Sequence, residues 1–531
     1  MSISRRDFVK VGAAAASIAA LPRGLRAATA PTRPRLITVA DPDRHDLALR
    51  ALDAAKSSGA SYADVRLTHN WLREVFPRNF GDAESMEVGV RALVQGYWGF
   101  ASGPVWSPDE MARLGREAVH QAKTNALGKT RTVNLAPAPP VPNGSWVMPV
   151  EIDPFEISPL EMVDYLRALS IYTVNVKQGA TAQITASFVK QEKAFASTEG
   201  SFCAQRLYSS SGTVKLEFEK HGRQDRMDVD LLTVAGLGWE LFKGQPIREA
   251  IRQLIDRMEA DMKLPVKPVD VGRFDTLIDA EGVAELLDTT LGRATELDRA
   301  LGYEANASGT SYINAPFDMI GSYQAGSPNL TLMGERSSSG GAATVKWDDE
   351  GVAPDEFTIV KDGVLSDFQT TRESAGWLEP YYSRRNLAVR SHGCANADSA
   401  IDAPLQHSPN LVMRPGREPL DFNGLVAGMG DGIAITDLSA TLDFQNLNGL
   451  ASGRVYEVKK GKIVSMIGGG GVLFRAPELW KGLHALGGAT SSRRFGSYSR
   501  KGEPAQATCH SVTAVPAVFK QLTLIDPQRK A

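Results

Sequence analysis

Apolar residues recur at helical spacing in several stretches of this chain and alternate with polar residues in many others. The first pattern predicts helices near residues 48–55, 111–118, 160–169 and 247–262, with capping boxes opening the second and third. The second pattern predicts strands near 61–67, 86–94, 97–101, 171–176, 182–189, 194–197 and 214–218. From about residue 271 onward, Gly and Asp turns separate many short extended segments, such as those flanking 347–351, 360–364 and 458–463. Together these patterns predict an α+β fold.

One segment combines both patterns and is a candidate for function. A short apolar run, Thr276-Leu277-Ile278, is followed by an Asp279-Ala280 break and then by apolar residues at helical spacing. This order predicts a strand, a turn and a buried helix over residues 280–298. The helix positions that should face the core are Val283, Leu286, Leu287, Leu291 and Ala294.

The chain is long enough for several domains. A Pro-rich stretch at residues 136–144 is typical of a linker. We therefore expect an N-terminal helix and hairpin domain at 45–130, a middle α/β region at 145–235, and a larger strand-rich domain at 240–530. No period of 20–50 residues indicates a repeat protein.

Composition excludes several classes of protein. The 531 residues carry a net charge near −2, which gives no basis for nucleic-acid binding. No apolar run reaches the ~18 residues that span a bilayer. Three cysteines are too few for a disulfide framework, so Cys394 and Cys509 form either one disulfide or two unrelated buried thiols.

The N-terminus has the pattern of an export signal. Paired arginines, Arg5-Arg6, precede an Ala-rich apolar run and a small-residue site at Ala28-Thr29-Ala30. We predict a twin-arginine signal peptide at 1–30, so that the mature protein is periplasmic or otherwise outside the cytoplasm.

The segment at 280–298 resembles the zinc helix of the TldD/TldE family, also called PmbA/TldD or "modulator of DNA gyrase" proteins. Active members of that family carry His-Glu-x-x-x-His there, whereas this chain has Asp288, Thr289 and Arg293 at those three positions. Gly292, Glu296 and Asp298 still match. Residues 59–66, 89–101 and the later turns resemble the family too, so the likeness spans about residues 45–525.

The resemblance implies a zinc peptidase site, and each altered position changes what that site can do. Residues i and i+5 lie about 140° apart on a regular helix, so two ligands meet one ion only if the helix is distorted, which Gly292 permits. Asp288 can still ligate zinc, but Thr289 is too weakly basic to act as a general base, and Arg293 has no lone pair to donate. The family's third ligand, a Cys, has no counterpart in residues 496–506.

We therefore assign no catalytic residue to the family's chemistry at Asp288, Thr289 or Arg293. We expect no cofactor, or zinc if the chain is an active enzyme. Our hypothesis is that Arg293 replaces the charge of the metal and pairs with Asp288 or Glu296. Glu296 and Asp298 are the candidates for a substrate-binding pocket. An alternative metal site could be built from two Cys and two His, namely His392, Cys394, Cys509 and His510.

Three functions remain open at this point. The first is an exported, zinc-free family member that binds extended peptides or supports an active partner, as a dimer with itself or with another TldD/TldE protein. The second is an active metallopeptidase that holds zinc through atypical ligands. The third is a purely structural partner subunit.

Overall fold

The computed structural model describes residues 42–128, 132–220, 223–243 and 245–527. The signal peptide predicted at 1–30 lies outside these ranges. Within them, no helix combines the length and apolar character needed to cross a bilayer. The helices are α1 Pro42–Ser57, α2 Pro108–Asn125, α3 Pro159–Val176, α4 Gln245–Asp261, α5 Ala280–Leu286, α6 Leu297–Ala300, α7 Pro316–Met319, α8 Arg372–Trp377, α9 Glu379–Arg384, α10 Phe422–Met429 and α11 Ala476–Lys481.

Strands make up most of the remaining regular structure, and the α+β class predicted from the sequence is confirmed. The strands are β1 Tyr62–Val75, β2 Phe80–Val94, β3 Tyr97–Gly103, β4 Gly144–Val147, β5 Ala180–Ser197, β6 Phe202–Lys220, β7 Arg223–Ala235, β8 Val266–Lys267, β9 Gly272–Ile278, β10 Leu332–Glu335, β11 Phe357–Lys361, β12 Val364–Leu365, β13 Ala395–Asn396, β14 Leu405–Gln406, β15 Asn410–Met413, β16 Gly432–Leu442, β17 Asn448–Lys459, β18 Lys462–Ile467, β19 Gly471–Arg475, β20 Leu483–Leu486, β21 Arg493–Lys501, β22 Gln506–Ala514 and β23 Ala517–Ile525.

The first seven strands form one sheet that joins the N-terminal and middle regions. Its order is β3-β2-β1-β5-β6-β4, with β7 paired to β6. β1 pairs with β5 along most of its length, from Asp64 opposite Ser197 to Val75 opposite Ala186. Helices α1 and α2 pack on one part of the sheet, and α3 and α4 pack on another. The predicted boundary near residue 145 therefore does not separate two independent sheets.

Helix α3 corrects one prediction from the sequence. Residues 171–176, predicted as a strand, continue the helix that begins at Pro159. Met162, Leu166, Leu169 and Thr173 are all buried, and they recur at helical spacing toward the core. The Thr173 hydroxyl donates to the Leu169 carbonyl at 3.0 Å, so this β-branched residue is accommodated inside the helix.

The C-terminal region contains an eight-stranded sheet, a six-stranded sheet and the short pair β13–β14. In the first, β16, β9, β23, β19 and β17 pair in succession and β17 pairs back to β16, which closes a ring. The second sheet has the order β12-β11-β10-β15-β22-β21. The hairpins predicted at 360–364 and 458–463 are confirmed as β11–β12 and β17–β18. Residues 347–351, predicted as a third hairpin, instead form a buried loop with three carboxylates.

That loop joins the two halves of the protein through buried ion pairs. Arg91 of β2 binds Asp64 at 2.7 Å and Glu350 of the loop at 3.3 Å. Lys193 of β5 binds Asp349 of the loop at 2.6 Å. Each of these five side chains is no more than 11% exposed, so each depends on its partner for charge compensation.

Candidate functional site

The segment that the sequence singled out is a distorted helix, and Gly292 lies within the distortion. The Asp279 carboxylate accepts a hydrogen bond from the Gly282 amide at 2.8 Å and so caps α5. The next turn, Leu287–Gly292, is a π-helix. The amide of Arg293 donates to the carbonyl of Asp288, five residues back, so these two residues lie in successive turns on one side of the segment.

Neighbouring elements hold the π-helix in place. The side-chain amide of Gln369 donates to the Gly292 carbonyl at 2.6 Å, and the Trp480 indole donates to the Thr290 hydroxyl at 2.8 Å. A Cβ on Gly292 would lie 2.9 Å from Leu411 Cδ1, so a larger residue there would have to displace the buried Leu411 side chain of β15. The distortion is thus fixed by packing from three separate parts of the chain.

Asp288 points toward a cross-strand pair at the edge of the second C-terminal sheet. Ser497 of β21 and His510 of β22 are directly opposite one another. Ser497 Oγ donates to Asp288 Oδ2 at 2.6 Å, and His510 Nε2 lies 2.8 Å from Asp288 Oδ1. Burial would raise the pKa of Asp288, but His510, with help from Arg293 and Ser497, lowers it to about 2. The carboxylate is therefore an acceptor only, and His510 Nε2 carries the proton of this bond.

A second buried charge cluster lies one turn further along the chain. Lys501, at the end of β21, binds Glu296 at 3.1 Å and Asp298 at 2.7 Å. Arg299 also binds Glu296, at 2.8 Å. Burial opposes ionisation of Glu296, yet Lys501 and Arg299 hold its pKa well below the usual range. Both pocket candidates are thus paired to cations inside the protein.

This geometry corrects the hypothesis for Arg293. Among the described residues, neither Asp288 nor Glu296 forms an ion pair with Arg293. Arg293 acts on Asp288 only as a neighbouring charge. The direct partners are His510 and Lys501, more than 200 residues away in sequence.

The alternative two-Cys, two-His metal site is not assembled. His392 lies between Asp355 and Asp367, at 2.8 and 3.3 Å, and stacks on an aromatic ring, while His510 is bound to Asp288. Cys394 and Cys509 are both free thiols, so the disulfide considered between them is not formed in this structure. Within the described ranges, no group of three or more His, Cys, Asp or Glu side chains has the geometry to hold a metal ion.

The donors at the zinc-helix position do not fit the zinc ion that the family resemblance implies. Both oxygens of Asp288 accept hydrogen bonds from protein groups. The Thr289 hydroxyl donates to the Glu285 carbonyl at 2.6 Å. A protonated Arg293 offers no lone pair and repels a dication.

Three polar atoms near this helix have no hydrogen-bond partner among the described residues. They are His510 Nδ1, His407 Nε2 and Gln369 Oε1, and all three are buried. Burial, followed by the charge of Lys501, lowers the pKa of His407 to about 3, so its ring is neutral at physiological pH. Ser499, between Ser497 and Lys501 on the same strand face, lies 3.4 Å from His407 Nδ1. Alternation along residues 497–501 was the one sequence signal that could have identified this face.

Comparisons with known proteins agree with the fold and the resemblance. Residues 271–518 match the family model described as the PmbA/TldA metallopeptidase C-terminal domain. A metalloprotease of Methanocaldococcus jannaschii is 22% identical over 363 residues, covering 67% of this chain and 74% of that protein. A metalloprotease TldD homolog of Buchnera aphidicola is 23% identical over 442 residues, covering 80% and 82%.

Two solved structures share the fold of this chain over most of its length. A proposed modulator of a DNA gyrase from Thermotoga maritima superposes with a TM-score of 0.68 at 14% identity, covering 91% of this chain and 100% of that one. TldE from Thermococcus kodakarensis gives a TM-score of 0.64 at 12% identity, covering 91% and 99%.

Proposed function

We propose that this chain, a member of the TldD/PmbA metallopeptidase family, is an exported and zinc-free representative that binds extended peptides or supports an active partner of the same family. The family's metal chemistry needs a Lewis acid, an open coordination position and a base. This chain has a carboxylate, a hydroxyl and a guanidinium at the corresponding positions.

One observation carries the proposal. The carboxylate that remains at the zinc-helix position, Asp288, is bonded by Ser497 and His510, and it is nearly fully buried. A side chain that is already compensated inside the protein has no need of a metal cation. The same holds for Glu296, whose cations are Lys501 and Arg299.

A peptide would bind by adding a strand to the edge of the sheet. β21 is the outermost strand of the sheet that contains His510. The Gly496 amide donates to Thr233 Oγ1 of β7 at 2.8 Å, so the peptide would pair with the part of β21 that follows Gly496. There it would pass Ser497, which touches Asp288, and would meet the exposed side chains of Tyr498 and Arg500. The inherited site would then serve to position a chain and not to cleave it.

Metal content and hydrolysis test the zinc-free part of the proposal. The purified mature protein should contain zinc far below one ion per chain, and it should not hydrolyse unstructured peptides with or without a chelator. Near-stoichiometric zinc together with chelator-sensitive hydrolysis would instead support the active enzyme with atypical ligands.

Peptide binding is tested separately with short, unstructured, fluorescein-labelled peptides and fluorescence anisotropy. Tyr498→Ala should weaken binding, whereas Phe444→Ala, a matched loss of an exposed aromatic away from β21, should not. If neither the protein nor its complex with a family partner binds these peptides, the role is that of a structural subunit.

A further inference from the structure

A cavity of about 620 Å³ is lined in part by Arg299, a member of the charge cluster around Lys501. Its volume is in the range of small-molecule sites. It is formed by α6 and α7, the loops that follow them, and α11. The apolar part of its wall is contributed by Leu301, Met319, Leu447 and Pro477. No residue of the zinc-helix turn or of β21 lines it.

Most charges at the cavity already have partners in the protein. Arg299 is bound to Glu296 at 2.8 Å and to the carbonyls of Ser308 and Gly309 at 2.8 and 3.2 Å. Arg475 is bound to Glu478 at 2.9 Å. These groups leave no net charge of their own for a ligand.

Two groups at the wall lack such partners. The Tyr312 hydroxyl is buried and has no hydrogen-bond partner among the described residues. Burial raises the pKa of Tyr312, so the hydroxyl keeps its proton and remains able to donate. The exposed ammonium of Lys481 lies 5.9 Å from the ring centroid of Tyr323, and no ion pair with a carboxylate is found for it in the described part of the chain.

We propose that this cavity binds a small molecule with an apolar body and one carboxylate. The carboxylate pairs with Lys481 and accepts from Tyr312, which leaves a buried hydroxyl satisfied. The apolar body lies against Leu301, Met319 and Leu447. The site is separate from the proposed peptide edge at β21, and it does not depend on whether zinc is absent.

The test is a titration of the full mature protein with N-acetyl-leucyl-leucine and with its C-terminal amide, followed by ligand-observed NMR. The acid should bind at least about tenfold more tightly than the amide, because a charge-assisted hydrogen bond is lost in the amide. A longer peptide with the same C-terminus distinguishes two sources of the carboxylate, a small free acid and the C-terminus of a peptide chain. It competes with the acid only if the cavity accepts a chain terminus.

Variants make the proposal falsifiable. Lys481→Met should weaken binding of the acid about tenfold. Tyr312→Phe removes only the hydroxyl and keeps the ring, so it should weaken binding by a smaller factor. Lys215→Met removes an exposed lysine from β6 in the other half of the protein and should leave binding unchanged. Equal affinity for acid and amide, equal effects of the two lysine variants, or no binding of either probe would overturn the proposal.

Discussion

Replacing His510 by leucine should destabilise the protein, and a second substitution at Asp288 should restore part of the loss. In the native protein the Asp288 side chain is 8% exposed and His510 is fully buried. His510→Leu leaves the carboxylate buried without its main partner, a change that costs about 3–5 kcal/mol. Asp288→Asn in the same chain removes the charge that has lost its partner.

The pKa of Asp288 shows how much its surroundings stabilise the ionised carboxylate in the parent. Its surroundings lower that pKa from 3.8 to about 2. At roughly 1.4 kcal/mol for each pH unit, this corresponds to about 2 kcal/mol of stabilisation of the ionised form. His510 is the main source of this stabilisation, so His510→Leu loses most of it and leaves the buried carboxylate uncompensated. Asp288→Asn removes that charge, and we expect the double variant to recover part of the loss of about 3–5 kcal/mol.

Equilibrium urea unfolding at pH 7 measures the single variant and the double variant against the parent. Trp480 is a suitable reporter because its indole is bonded to Thr290 in the π-helix. The folded pKa of Asp288 is depressed, so its contribution is present above about pH 4 and is lost as the pH falls through about 2. The difference between parent and His510→Leu should accordingly shrink in acid. If the double variant is less stable than His510→Leu, the Asp288–His510 bond does not have the role described here.

Three further predictions concern neighbouring groups. Burial opposes protonation of His392, but Asp355 and Asp367 raise its pKa to about 9. Its protonation therefore stabilises the fold by about 3 kcal/mol below about pH 6.5, and this is lost as the pH rises through 9. The urea midpoint of the parent should fall between pH 6 and pH 10, and that of His392→Asn should fall by less. Gly292→Ala should cost about 1–3 kcal/mol in the same assay because its methyl group meets Leu411, and the cost should be smaller in a Leu411→Ala background; equal costs in both backgrounds would contradict this. Lys501→Met should lower stability by about 3–5 kcal/mol, with partial recovery on adding Glu296→Gln, and a lower stability of the double variant would count against the pairing.

The helix at the site could be predicted from the sequence because its information is local. Apolar spacing from Val283 to Ala294 predicts the buried face. The structure also contains a distortion of the kind that the family's metal ligands need at this spacing and that Gly292 permits. The resemblance identified the fold, and comparisons confirm it.

The partners of the buried charges could not be predicted because they depend on tertiary structure. His510 and Lys501 reach the helix only after β21 and β22 pair at the edge of a sheet, and nothing near residue 288 specifies that arrangement. The place of Arg293 in the family motif predicts that it pairs with Asp288 or Glu296, but in the described residues those carboxylates bind His510, Lys501 and Arg299 instead. The strand predicted at residues 171–176 was wrong for a related reason, because packing of α3 on the sheet outweighed the local strand preference of Ile171 and Val174.

The ion pairs between the loop at 347–351 and the N-terminal sheet have a consequence for any attempt to divide this molecule. A fragment comprising only the C-terminal half would keep Asp349 and Glu350 but lose Lys193 and Arg91, their countercharges. Such a fragment would carry unmatched negative charge in what had been its interior. In the complementary fragment Arg91 would keep Asp64, but Lys193 would lose the carboxylate of Asp349. The two halves are therefore electrostatic complements, and expressing them as separate chains should yield a soluble complex only when both are present together.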